Sequence, residues 1–235
     1  GKKRCEYCRA REGSFIFTAF DGFDQSHVTG EDLARIQGDH VVYLAWFGAE
    51  MIKIGVSKIE RQALRQIEQG AYATLFLAQT PDGVSARQIE TLFRRSGLVD
   101  KIKMSQKKNL LLPEEDDKSI HEALLTLLGH HKKCLAGDFS HLEKFMLADP
   151  VFMTWSDVFG LNQVRGSGKP FHAVDLKKDD WVSGKVIAAR GAFLMIETPD
   201  EIIACNTKDL LGRDIDFTPR DPGLGMSQAL QGALF

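Results

Sequence analysis

The sequence lacks any run approaching the ~18 consecutive apolar residues that a membrane-spanning helix needs, and it lacks a charged segment followed by an apolar one that would read as an export leader. A cytoplasmic protein with no membrane partner is therefore expected. Cysteine is scarce, four residues in 235, and the spacing is uneven, which argues against a secreted disulfide framework. Net charge is almost absent, −2 at pH 7 with a pI near 6.4, and says nothing of partners until it is resolved along the chain. No internal repeat is present. What is there, 43% hydrophobic and 26% charged residues, describes an ordinary globular protein with room for one large domain or two small ones.

Along the chain the charge is uneven. His40 to Leu112 holds eleven Lys and Arg against six Asp and Glu, a net +5 that leaves −7 for the remainder. The same segment has the most regular patterning. Val41 to Phe47 and Met51 to Val56 are strand-like and flank Gly48-Ala49, which predicts an antiparallel hairpin. Ser57-Lys58-Ile59-Glu60 fits a capping box opening a helix that Gly70 ends. Ala71 to Gln79 reads as a third strand and Pro81-Asp82-Gly83 as a turn. Ser85-Ala86-Arg87-Gln88 is a second capping-box match, before a helix whose apolar stripe is Ile89, Leu92 and Phe93 and whose stop is Gly97.

Five segments are expected: an irregular N-terminal stretch 1–39 with Cys5-x-x-Cys8, a compact sheet-and-helix domain 40–112, a helical region 113–165, a small β domain 170–220, and a tail 221–235. The helical region opens on the acidic PEEDDKSI and closes its first helix on His130-His131, matching the helix dipole at both ends. Gly166 to Pro170 is the clearest linker, and the segment after it alternates and breaks at Gly191 and Pro199-Asp200 as a β-meander would. The fold class expected is α/β in the α+β sense, a small sheet with flanking helices followed by the meander.

Two polar residues stand out in the hairpin, Tyr43 and Lys53, because a strand buried on both faces has little use for a phenol or an ammonium. With Val41-Val42-Tyr43 on one strand, Lys53-Ile54-Gly55 on the next, arginines on the following helix and a glutamate on a later one, the segment from His40 to Gly97 resembles the GIY-YIG nuclease superfamily. It is closest to uncharacterised prokaryotic proteins with a GIY-YIG-like core. The first motif lacks its glycine, and lysine replaces tyrosine in the second. What the resemblance implies is a metal-dependent endonuclease acting on structured DNA or RNA. Tyr43 would act as base or relay, helped by Lys53; Arg61 and Arg65 would clamp a phosphate; Glu90 would hold Mg²⁺. Ser57, Gln69, Arg87 and Arg94 would contact substrate.

Each role has a structural alternative. Tyr43 can be a packed aromatic, Arg61 and Arg65 can pair with Glu68 and Glu60 on a solvated face, and Glu90 can join a salt-bridge network with Arg87 and Arg94. Two further functions stay open: a non-catalytic nucleic-acid binder that keeps the fold, and a fold recruited for small-molecule chemistry. Cys5 and Cys8 suggest half of a Zn²⁺ site, with His27, His40, Cys134 or His130-His131 as the other half. Cys205 reads as a small core residue.

Overall fold

The structure, a computed structural model, describes residues 20–24, 26, 28–49, 51–135, 139–177 and 182–210. Cys5, Cys8 and His27, and with them the suggested zinc site, lie outside these residues, as does the tail 221–235.

Helix α1 (Gly30–Arg35) leads into β1 (Gln37–Trp46), which pairs antiparallel with β2 (Ile52–Lys58) as the hairpin pattern predicts. Seven consecutive residues of β1, His40 to Trp46, are buried, so the strand has protein on both faces. Val42, Leu44 and Trp46 enter the main core, while Val41, Tyr43 and Ala45 enter a second, smaller cluster on the other face. Tyr43 stands opposite Gly55 and Ala45 opposite Lys53, which puts Lys53 on the small-cluster face. Glycine is needed at 55: a Cβ there would lie 2.7 Å from the Tyr43 hydroxyl oxygen.

The next helix does not begin on the expected box. Ser57 stays in β2 and its hydroxyl donates to the Lys58 carbonyl at 3.1 Å. A 3₁₀ turn (Ile59–Arg61) follows, and α2 (Gln62–Gln69) starts without a side-chain cap. Gly70 ends it in the left-handed conformation, φ 71°, as expected. Strand β3 (Ala73–Asp82) runs through the predicted turn, and Asp82 caps α3 (Gly83–Arg95) by accepting from the Ser85 amide at 2.7 Å. The cap is thus three residues earlier than Ser85 itself. The predicted stripe of Ile89, Leu92 and Phe93 is buried against the main core.

A short helix α4 (Met104–Lys108) precedes the long α5 (Asp117–Cys134), whose Asp116 cap and basic last turn match the expected dipole. The expectation of a helical region over 113–165 fails at β4 (Met146–Thr154), an edge strand beside β3. It was hidden by Pro150, which sits between the paired residues Met146 and Val151, where the register breaks and no ladder hydrogen bond is lost. Helices α6 (Ser156–Phe159) and α7 (Leu161–Gly166) follow. The first sheet has the order β2-β1-β3-β4, all antiparallel.

Beyond the linker, β6 (Lys185–Arg190), β7 (Phe193–Glu197) and β8 (Ile202–Asn206) form the expected meander. Strand β5 (Phe171–Val174) joins it parallel to β8, giving the order β5-β8-β7-β6. Helices and two largely antiparallel sheets make an α+β fold. One buried cluster runs from Val42, Leu75 and Phe93 of the first part to Phe193, Met195 and Ile202 of the second. The two sheets also meet backbone to backbone: a Cβ on Gly191 would stand 3.1 Å from the Gly70 Cα and amide. Among the described residues no helix is long and apolar enough to cross a membrane.

Candidate functional site

Tyr43 is 1% exposed and packs edge-on against Phe76, with ring centroids 6.2 Å apart. Its hydroxyl accepts a hydrogen bond of 3.0 Å from Gln69 Nε2 at the end of α2. Gln69 also anchors Lys107 of α4, whose Nζ donates to the Gln69 carbonyl at 2.6 Å and lies 4.2 Å above the Phe47 ring. Phe47, Gln69, Met104, Lys107 and Arg190 line a cavity of about 10 Å³ where the two sheets meet, room for one water oxygen at most.

Arg190 is 3% exposed and spends its fork on backbone carbonyls: Nε on Gly70 at 3.0 Å, Nη1 on Leu110 and Leu111 at 2.5 and 2.8 Å, Nη2 on Phe47 at 2.9 Å. No carboxylate is among these partners. Burial lowers its pKa to about 9.

Cations accumulate around this recess. Burial lowers the Lys107 ammonium to about 7, and Lys53, Arg190, Lys208 and Arg65, the charges that act on it most strongly, push it the same way. Lys53 is lowered to about 8, by burial first and Arg65 second, against a smaller pull from Glu90 and Asp100. Among the described residues neither Lys53 nor the exposed Arg65 has a salt bridge. A desolvated, unpaired ammonium beside others of its sign is costly unless an anion completes the site.

The other predicted residues are elsewhere. Arg61 is exposed and pairs with Glu68 at 3.1 Å. Arg94 pairs with Asp100 at 3.4 Å. Arg87 Nη1 binds Glu90 Oε2, and burial raises the Glu90 pKa despite that cation. Helix α3, which carries Glu90, packs on the main-core face of the sheet, opposite Tyr43. Tyr43 and Glu90 thus belong to different faces, although Glu90 still acts on Lys53.

A divalent ion does not fit Glu90, whose residue is 4% exposed and whose Oε2 is already engaged by a guanidinium. Among the described residues no three His, Cys, Asp or Glu side chains stand together as a ligand group. The histidines weighed for zinc are dispersed: His40 is fully buried with Nδ1 on the Gly38 carbonyl at 2.7 Å, and His131 bonds Ser96 Oγ at 2.8 Å. His130 lies 3.9 Å from Cys134 Sγ one helical turn on.

A wider cleft of about 900 Å³ has the opposite character. Glu114, Glu115, Asp116, Asp117 and Asp157 line it, with Arg165 at its wall. Its carboxylates would repel a phosphate, and Arg165 is already committed to Pro113 O and Ser156 Oγ.

Sequence reasoning found Lys53, Arg65, Gln69 and Tyr43 and missed Lys107, Arg190 and Lys208. Lys107 was visible only as part of the basic excess. Arg190 comes from the meander, and nothing local in Ala188-Ala189-Arg190-Gly191 marks its contact with Phe47, 143 residues away.

Fold and recess together define an α+β protein with two sheets and an electropositive pocket at their junction. The chain belongs to the family described as Protein of unknown function (DUF2797), whose model matches residues 30–215. That match begins at α1 and passes the end of β8, so it takes in both sheets and every cation of the recess. Comparison with curated proteins gave no match, and neither did comparison with solved structures.

Proposed function

We propose that this protein binds nucleic acid without cutting it, through the basic residues Lys53, Arg65 and Lys107 near the junction of the two sheets. The observation that carries this reading is the clustering of Lys53, Arg190, Lys208 and Arg65 about Lys107, the four charges that act on it most strongly. Phosphate is the anion of matching chemistry, and the recess belongs to the segment whose net charge is +5. The order hairpin, helix, strand, helix, with Tyr43 facing Gly55, supports a GIY-YIG-like core as the scaffold.

Hydrolysis on that scaffold would need a phenol at the substrate and a carboxylate free for a metal ion. The burial of Tyr43, and the position of Glu90 on the opposite face in a bond with Arg87, both speak against it. Binding needs only the cations.

The test is fluorescence anisotropy with single and double strands across a salt series. Three engaged cations give a log–log salt slope of about −2 on single strands, and Arg65→Gln should reduce its magnitude by about 0.7. Salt-insensitive binding, or none, overturns the proposal. Cleavage of flapped or branched strands with Mg²⁺ or Mn²⁺ that Glu90→Gln abolishes would restore the endonuclease reading.

A further inference from the structure

We infer that His40 is an acid-sensitive latch, whose protonation at Nε2 frees α1 from the start of α3; the inference is independent of the nucleic-acid reading. His40 lies in β1 between Lys58 of β2 and Thr80 of β3, with no exposed surface. Its Nδ1 is 2.7 Å from the Gly38 carbonyl oxygen, which can only accept, so Nδ1 carries the proton and Nε2 presents a lone pair. Nε2 is buried and has no hydrogen-bond partner among the described residues. A neutral imidazole tolerates that position. An imidazolium would enclose a second N–H and a full charge without an acceptor.

The ring faces the point where Ile36 meets α3. A Cβ built on Gly83 would stand 3.1 Å from Nε2, 3.0 Å from the Ile36 carbonyl oxygen and 2.7 Å from the Ile36 Cβ. That carbonyl accepts from the Gly83 amide at 2.7 Å, the bond that ties the end of α1 to the start of α3. A protonated Nε2 either takes the Ile36 oxygen from Gly83 or draws water into the contact, and both break the tie. The rest of the hold is small: Phe20 and Ile36 are the two buried members of their cluster, with Val28, Leu33 and Val84 partly buried around them.

The charges around the ring come from Lys58 on β2, Glu60 in the 3₁₀ turn and Asp82 at the cap of α3. Lys58 disfavours protonation and the two acids favour it, yet Asp82 is engaged by the Ser85 amide and none of the three gives Nε2 a partner. Asp39, next on β1, accepts from Gln79, and on α1 Asp32 pairs with Arg35 while Glu31 is exposed. Burial dominates and holds the imidazole below its ordinary 6.5. The stability it contributes is therefore present above about pH 6.5 and is lost as the pH falls through the folded value.

The test is hydrogen exchange of the full chain, followed by mass spectrometry from about pH 7.5 to about pH 5 with rates corrected for the intrinsic effect of pH. Protection over 30–37 and at the first turn of α3 should fall about tenfold or more relative to α5 as the pH drops. His40→Asn keeps a donor for the Gly38 carbonyl and cannot take a proton in this range, so it should abolish the fall. His131→Gln alters the other buried histidine among the described residues and should leave the fall in place. Where His40→Asn does not fold, NMR of the wild-type ring decides. His40 should stay neutral while the exposed His141 and His172 titrate, and should protonate only as the Gly83 amide loses protection. A wild-type chain with no acid response, a response that persists in His40→Asn, or one that His131→Gln removes overturns the latch. So does a His40 ring that titrates with His141 while Gly83 stays protected.

Discussion

On the face of the first sheet covered by α3 and α5, the buried carboxylate of Glu90 is held by Arg87. Across the sheet, around Tyr43, two lysines lack a carboxylate partner, and the buried Gln66 amide and Gln69 Oε1 have no hydrogen-bond partner among the described residues. The first face is large and carries the core from Val42 to Met195; the second is a cluster of six buried residues with Met51, Ile59, Ile102 and Leu147 at its rim. The large core is not free of such groups, since Thr91 Oγ1 and His40 Nε2 are also buried without a hydrogen-bond partner among the described residues. What distinguishes the small one is that its open amide, Gln69, stands against the Lys107 ammonium, where like charges gather.

The junction between the sheets should give the largest effect. Arg190→Met strands the carbonyls of Phe47, Gly70, Leu110 and Leu111, and should cost about 3–5 kcal/mol by urea unfolding. Arg190→Lys should recover little, because one ammonium cannot reach carbonyls spread over three segments. A loss below about 1 kcal/mol would mean that the small face does not depend on the second sheet.

Replacing a cation by Met should have opposite signs on the two faces. Arg87→Met leaves Glu90 buried without its guanidinium, at a cost of about 2 kcal/mol at neutral pH. Burial already raises the Glu90 pKa above its ordinary 4.5, so the folded state binds more protons than the unfolded chain in that window. Stability from this group therefore falls as pH rises above about 4.5, and the penalty of Arg87→Met should shrink in acid.

How much of this contrast was legible follows from where the information lies. The Ile89-Leu92-Phe93 stripe and the Gly70 stop were readable because helical period and left-handed φ are local properties. Strand β4 was not, since Pro150 and a half-exposed edge position erase the alternation a strand needs. Ser57 and Ser85 matched the capping pattern, yet Lys58 and Asp82 occupy the cap positions, because pairing with β1 carries β2 one residue past Ser57 and β1 and β3 likewise pair as far as Gln37 and Asp82. At the site, Tyr43 and Lys53 could be singled out as polar residues in a buried strand. Lys107 and Arg190 could not, since their meaning comes from segments that meet only when the second sheet closes on the first.

Lys107→Met sharpens the contrast on the small face, where it should be neutral or stabilising by up to about 1 kcal/mol, since it removes a half-buried charge from among like charges. The pH dependence gives the cleaner reading. With Lys107 near 7 and Lys53 near 8 in the folded state and both near 10.5 when unfolded, the folded chain binds fewer protons from about pH 7 to about pH 10. Stability from these groups should rise with pH across that window, and Lys107→Met should flatten the rise to the share that Lys53 contributes. A strand or phosphate bound in the recess would hold both ammonium groups charged, so unfolding midpoints measured with and without it should diverge most toward the acidic end of the window.

Tyr43→Phe should give the smallest change. It leaves Gln69 Nε2 without its acceptor and should cost about 0.5–1 kcal/mol. The ring itself, wedged between Gly55 and Phe76, keeps its packing. Affinity for a strand should stay within about twofold, because the hydroxyl lies behind Gln69 rather than among the cations. If Tyr43→Phe instead keeps full stability and loses tenfold or more in affinity, the phenol belongs to the ligand and not to the packing. The small face would then be a site extending from Lys107 to the floor of the hairpin, and the buried hydroxyl would again be open to a chemical role.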